Sequence, residues 1–209
     1  MLRPDQNGDV VDTTAPAPAH LTRTSREFLG KRALPRVIAE RPVVYVLGPA
    51  GVGKTSVARR LAEGALELDG PRLRRLLVDA VRHRAFPAEV RDAPALVLDD
   101  VDCLYGRYGA VDLLGGFLRD RAQAGRKSVV VQGPADGSLT LLFAPVPCTW
   151  RASVLLRFPV GRGRRRHVLR ACEARGIDFG RAREAVGFEP WTYARVSRFL
   201  EALEPPVGK

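Results

Sequence analysis

Apolar positions along this chain fall into two rhythms. Five short runs, Val43-Val44-Tyr45-Val46-Leu47, Leu66-Glu67-Leu68, Ala95-Leu96-Val97-Leu98, Val129-Val130-Val131-Gln132 and Val154-Leu155-Leu156, are continuous or nearly so. Strands buried on both faces read this way. Between them the period lengthens to that of a helix. Ser56 to Leu68 sets Val57, Leu61 and Ala65 on one face, although its last three residues also read as the short strand above. Pro71 to His83 interleaves Leu73, Leu76, Leu77, Ala80 and Val81 with Arg72, Arg74, Arg75 and Arg82. Val111 to Ala124 repeats the pattern through Leu114, Phe117 and Leu118 and stops at Gly125. The alternation predicts a parallel five-stranded sheet flanked by helices.

The two ends break the alternation. Past Pro159 the strands cease, and Gly163–Arg175, Asp178–Val186 and Pro190–Leu203 read as three helices, a small C-terminal helical lid over 160–209. Residues 1–22 carry prolines and small polar residues without periodicity, which predicts a disordered tail. Arg23 to Ala39 reads as a leading helix, so the α/β domain spans 23–159. No internal repeat is visible.

Composition narrows the class. At 209 residues and 45% apolar, the chain suits one α/β domain with a small appendage. No apolar run approaches a membrane span and no charged-then-apolar leader opens the sequence, which predicts a cytoplasmic protein with no membrane contact. Cys103, Cys148 and Cys172 are odd in number and widely spaced, reading as reduced thiols, and His20, His83 and His167 form no ligand cluster. The net charge of +11 points toward polyanions but needs discounting. Lys31, Lys54, Lys127 and Lys209 are the only lysines, so 30 of the 34 basic residues are arginine, and part of the excess is the codon bias of a GC-rich genome. Distribution says more. Residues 151–209 hold 13 basic and 6 acidic residues, whereas the first 22 hold one base and three acids.

The most specific chemistry follows the first strand. Gly48-Pro49-Ala50-Gly51-Val52-Gly53-Lys54-Thr55-Ser56 fits G-x-x-x-x-G-K-[ST]. Such glycines let successive N–H groups curl around a polyphosphate, the lysine brings a cation to its β/γ oxygens, and the threonine offers a hydroxyl to Mg²⁺. The helix that follows would point its N–H groups at the same phosphates. The strand Ala95–Leu98 ends in Asp99-Asp100, which a parallel sheet would deliver beside that loop. Asp99 is the expected Mg²⁺ partner with Thr55, and Asp100 the candidate for polarising an attacking water. Asp102 reads as a cap of the next helix. The cofactors implied are ATP and Mg²⁺, in a P-loop NTPase.

With these motifs placed, residues 25–204 resemble AAA+ ATPases, and 98–203 most resemble the bacterial replication-initiator and regulator group of DnaA and Hda type. The traces are LDDVDCLYG at 98–106, AGRKSVVVQGPADGSL at 124–139, HVLRACEARGIDF at 167–179 and WTYARVSRFLEAL at 191–203. The resemblance makes Gln132 the candidate contact to the γ-phosphate or its attacking water, with Asp136 second. It also places Phe28-Leu29-Gly30 near the base and asks for an arginine from the last helix. Arg195 is taken as cofactor-binding on that ground, with Arg198 an alternative and Ala194 in competition for the family's position. Two departures stand out. Members carry a Ser-Arg-Phe-like stretch before the fifth strand, whose arginine reaches a neighbouring subunit's γ-phosphate. Here Pro145-Val146-Pro147-Cys148-Thr149-Trp150 has no arginine until Arg151. An oligomer is therefore expected to lack an evident finger, and hydrolysis to be slow or partner-stimulated. The sequence shows no helix-turn-helix pattern after the lid, so sequence-specific DNA recognition by this chain alone is not expected.

The function expected is an ATP-binding switch acting through a protein partner, or through nucleic acid held by Arg162, Arg164, Arg165 and Arg166. A nucleotide-binding adaptor without catalysis is the alternative, and a small-molecule kinase a third. Ending that arginine run on a helix's first turn opposes the dipole, a hint of a partner.

Overall fold

The structure, a computed structural model, describes residues 3–4, 10–11, 19–23, 36–133 and 145–204. Six parallel strands form its sheet: β1 (Ala19–Arg23), β2 (Val43–Leu47), β3 (Leu66–Leu68), β4 (Ala95–Leu98), β5 (Lys127–Gln132) and β6 (Arg151–Leu156), in the order β1-β6-β2-β5-β4-β3. The helices are α1 (Arg36–Ala39), α2 (Lys54–Leu61), α3 (Gly70–His83), α4 (Ala88–Asp92) and α5 (Tyr108–Gln123), then α6 (Arg162–Glu173), α7 (Phe179–Ala182) and α8 (Tyr193–Glu201) in the lid. Arg3–Pro4 and Val10–Val11 form a separate two-residue ladder.

All five expected strands are present. The sixth, β1, lies in the stretch read as a disordered tail and pairs with β6 from Ala19↔Ala152 to Arg23↔Leu156. Arg23 therefore ends a strand instead of starting a helix, and α1 covers the last four residues of the expected leading helix, whose residues 24–35 lie outside the described residues. Phe28, Leu29, Gly30 and Asp136 lie outside the described residues. The helix after the phosphate loop stops at Leu61, and a turn at Gly64 (φ 73°) releases Leu66–Leu68 as a strand. The middle lid helix is a short α segment continued as a 3₁₀ turn, Arg183–Val186.

Strand residues alternate between two cores. Val43, Tyr45 and Leu47 of β2 face α3 and α5 along with Leu96, Leu98 and Val130. Val44 and Val46 face the opposite side with Val97, Val129, Val131 and the α2 residues Val57, Ala58 and Leu61. This explains the unbroken apolar run of β2, buried at every position, whereas β3 and β6 toward the sheet's edges expose Leu66 and Leu155. Lid helices enclose a third cluster around Val168, Cys172, Trp191, Val196 and Leu200. Phe158, following β6, packs against both the α2-side core and the lid core.

Among the described residues one charged group is set deep in the sheet half. Arg121 on α5 is 1% exposed. Its guanidinium donates to Ser128 Oγ (3.0 Å) and to the carbonyls of Val90 (2.8 Å), Arg91 (2.8 Å), Ala93 (2.9 Å) and Lys127 (2.9 Å). Burial pulls its pKa down to about 10. The residue stays charged at neutral pH, closing the C-terminus of α4 and the start of β5. Among the described residues no helix is long and apolar enough to cross a membrane.

Candidate functional site

Strand β2 is the switch point of the sheet, flanked by β5 and β6, and the loop after it leaves at the carboxyl edge where such sheets form crevices. Gly48 (φ 148°) begins the loop so close to β6 that a Cβ there would stand 2.5 Å from Leu156 O. Only glycine fits. Val52 is buried in the α2-side core and its N–H donates to Pro49 O (3.4 Å), which pins the middle of the loop while Ala50 and Gly51 remain exposed. Gly53 (φ 89°) precedes α2, and Lys54 opens it. The first N–H groups of this helix have no intrahelical partners and point back into the loop.

Three side chains converge there. Lys54 Nζ donates to the loop carbonyls of Gly48 (2.9 Å) and Pro49 (3.0 Å). Desolvation lowers its pKa, partly offset by the charges of Asp102, Asp99 and Asp100 in that order. Thr55 Oγ1 donates to Asp99 Oδ2 at 2.7 Å, joining two motifs 44 residues apart. The other oxygen of Asp99 accepts the N–H of Asp100 at 2.9 Å. A hydroxyl and a carboxylate this close form the oxygen-only donor pair that Mg²⁺ favours, and two protein oxygens suffice where phosphates and water complete the octahedron. Ser56 is exposed on the first turn of α2.

Asp100 is placed differently from its neighbour. It is exposed, in the left-handed region (φ 57°, ψ 45°), and its Oδ2 lies 2.9 Å from where a Cβ on Gly70 would stand. The carboxylate thus rests against the first turn of α3. Asp102 is no helix cap, because α5 begins only at Tyr108 behind Arg107. Its carboxylate accepts the Gly133 N–H at 2.6 Å. Gln132, paired with Leu47 in the ladder, is wholly buried, and among the described residues neither Oε1 nor Nε2 has a partner.

The lid reaches the loop through a residue that sequence reasoning missed. Thr192 caps α8 by accepting the Arg195 N–H (3.1 Å), and a side chain on Gly51 would meet its Cβ at 3.0 Å. A Thr three residues before Arg195 was a legible cap signal; its contact with Gly51 was not. Arg195 itself is turned into the lid, with its guanidinium over Phe188 (4.8 Å) and Nη1 donating to Glu189 O (3.4 Å). Arg198 is exposed on α8. In the basic run Arg164 also turns inward, bonded to Pro159 O (3.1 Å) and Glu189 Oε1 (2.6 Å) and lying over Trp191 (5.7 Å). Arg162, Arg165 and Arg166 stay exposed, Arg165 with its head over Phe179. Where an arginine finger would stand, Cys148–Trp150 forms a 3₁₀ turn. Arg151 opens β6 opposite Val43, about 13 Å along the strand from the phosphate end, so it cannot serve this chain's own loop.

No protein-family model and no curated protein sequence matches the chain, so likeness to known proteins is one of structure. Domain III of the Thermotoga maritima replication initiation protein DnaA superposes with a TM-score of 0.60 at 14% identity, covering 78% of this chain and 75% of that one. The fold is AAA+, in its DnaA-like form. A replication initiator DnaA bound to AMPPCP and single-stranded DNA gives 0.58 at 11% identity over 78% of this chain and 55% of its own. An AMPPCP-bound DnaA from Aquifex aeolicus gives 0.50 at 11% identity over 66% and 47%. The chain thus spans about half the length of these longer initiators.

Proposed function

We propose that this chain is an AAA+ nucleotide switch that binds Mg-ATP between its phosphate loop and lid, hydrolyses it slowly, and passes its state to a protein or nucleic-acid partner. The observation that carries this reading is the 2.7 Å bond between Thr55 and Asp99 directly beside Lys54. In the bound state Lys54 exchanges the loop carbonyls for β/γ-phosphate oxygens, and the N–H groups from Gly51 to Thr55 wrap the phosphates. Thr55 and Asp99 hold the cation, which supplies charge neutralisation at the phosphates. Gln132, with both amide atoms unpartnered, is the group prepared to meet the terminal phosphate or its water. Thr192 is the lid residue nearest the loop, and Arg195 would have to leave Phe188 to join it. AMPPCP in two DnaA neighbours agrees with a nucleotide in this crevice.

Lys54→Ala tests the site. Removing its charge-assisted bonds is expected to weaken Mg-ATP about 100-fold in a calorimetric titration with the melting temperature unchanged. Unaltered affinity would sink the assignment.

A second reading, an adaptor that holds nucleotide without turning it over, is favoured by one observation: the Asp100 carboxylate rests on Gly70. Catalysis requires it to swing free. Under the switch reading Asp100→Asn preserves binding and abolishes a turnover already well below the roughly 1–100 per second of efficient phosphoryl-transfer enzymes. Equal turnover in wild type and variant favours the adaptor. Contact with nucleic-acid phosphates falls to Arg162, Arg165 and Arg166, and is read from a steep, sequence-independent loss of filter binding with salt.

A further inference from the structure

Strand β5 outruns its neighbour. The β4 ladder ends at Leu98↔Val130, whereas β5 continues through Gln132 with only β2 beside it. On the side where β4 has stopped, the next backbone N–H, that of Gly133, is taken by the Asp102 carboxylate at 2.6 Å. A side chain thus continues the ladder where main chain is missing. The approach is tight: a Cβ on Gly133 would lie 3.1 Å from both Asp102 oxygens. Adjacent to this anchor sits Gln132, fully buried with two unpartnered amide atoms. Such a group is costly unless something satisfies it, and it keeps its position only if the surrounding backbone leaves it no alternative.

We infer that Asp102 is a positioning residue that fixes the end of β5 and so holds the Gln132 amide where it distinguishes a nucleoside triphosphate from a diphosphate. The inference rests on the nucleotide-site reading above. Asp102 touches no phosphate itself; it removes the freedom of Gln132 to turn away when the crevice is empty. The triphosphate then finds a preorganised donor, and the diphosphate leaves that donor unpaired.

The test is the ratio of the Mg-ADP to the Mg-ATPγS dissociation constant, measured on the full chain beside thermal unfolding. Gln132→Ala is expected to lower the ratio about 10-fold. Asp102→Ala should reproduce most of that loss in the ratio, while the negative charge it takes from beside Lys54 moves both affinities in the same direction. The double variant should lose no more than Gln132→Ala alone, because both act through one contact. Asp102→Asn, whose amide oxygen still accepts from Gly133, should keep the ratio within about threefold of wild type. An unchanged ratio in Asp102→Ala, equal loss of both nucleotides, or losses that multiply in the double variant each overturn the positioning role. Lys54→Ala separates the two levels. If it leaves both affinities intact, the nucleotide site falls and this inference with it; if it abolishes both, only the ratio decides Asp102.

Discussion

Strands β2 and β4 bury an aliphatic or aromatic side chain at nearly every position, while the lid rims its own apolar cluster around Trp191 with arginines. In the sheet half the one fully buried cation, Arg121, is met by neutral oxygens. In the lid Arg164 clasps Glu189 and Trp191, Arg175 bonds Ser197 and lies 3.7 Å from Glu201 and 3.5 Å from Glu204, Arg165 covers Phe179, and Arg195 covers Phe188. Apolar area buried from water is indifferent to salt, whereas exposed ion pairs are screened and individually weak. The Gly48–Ser56 loop follows a strand buried at every position, whereas the helices after β6 add exposed ion pairs to their own apolar cluster. Under the proposed switch function that is the division required of a preformed cradle and a movable cover.

The sharpest way to break the comparison is Arg121→Met. It leaves five acceptors facing a thioether and is expected to lower global stability by about 3–5 kcal/mol in urea unfolding. A loss confined to the lid, or none, would show that the sheet half does not depend on it. Next is Trp191→Ala, which empties the lid core and removes the bond from Nε1 to Ala185 O (3.0 Å). The expected loss is about 3 kcal/mol, felt as faster amide exchange in α6–α8 with β2, β4 and β5 still protected. Arg164→Gln should lower the lid transition by only about 2 °C, a difference that shrinks as salt rises.

Most local is a pH effect at Lys127. Its ammonium donates to the carbonyls of Ile38 (3.3 Å), Ala39 (3.0 Å) and Arg41 (2.6 Å), closing α1 onto β5, and burial lowers its pKa from 10.5 to about 8. The folded chain releases this proton before the unfolded chain does. Lys127 thus makes stability rise between about pH 8 and 10.5, and its burial cost is fully present below pH 8. Lys127→Met should flatten that rise when denaturation midpoints are compared at pH 7.5 and 10.

How much of this was legible depended on periodicity. The five core strands were plain because burial on two faces forbids polar interruption. β1 was not: an edge strand paired only with β6 and preceded by Pro16 and Pro18 carries no such run. Glycine spacing and Lys54 made Gly48–Ser56 the candidate phosphate loop, and strand-end logic put Asp99 beside it, where it accepts a bond from Thr55. What escaped was direction. Letters gave Asp100, Asp102, Arg164 and Arg195 as charged residues near the right elements. Only packing showed that the first leans on Gly70, the second holds Gly133, and the two arginines face into the lid. Side-chain orientation depends on neighbours distant in sequence, which no local pattern encodes.

The neutral partners of Arg121 have a consequence in acid. Carbonyls and a serine hydroxyl do not titrate, so this clamp keeps every bond as protons accumulate. The hydrogen bond from Arg164 holds the Glu189 carboxyl below its usual range. Stability from that clasp is present above the ordinary carboxylate pKa and disappears as pH falls through the lowered one. Glu67 on β3 and Asp92 on α4 are held low in the same way by Arg59 and Arg91, so acid loosens exposed pairs in both halves while the Arg121 clamp persists. Trp191 fluorescence should report the loss of the Arg164–Glu189 clasp beside it.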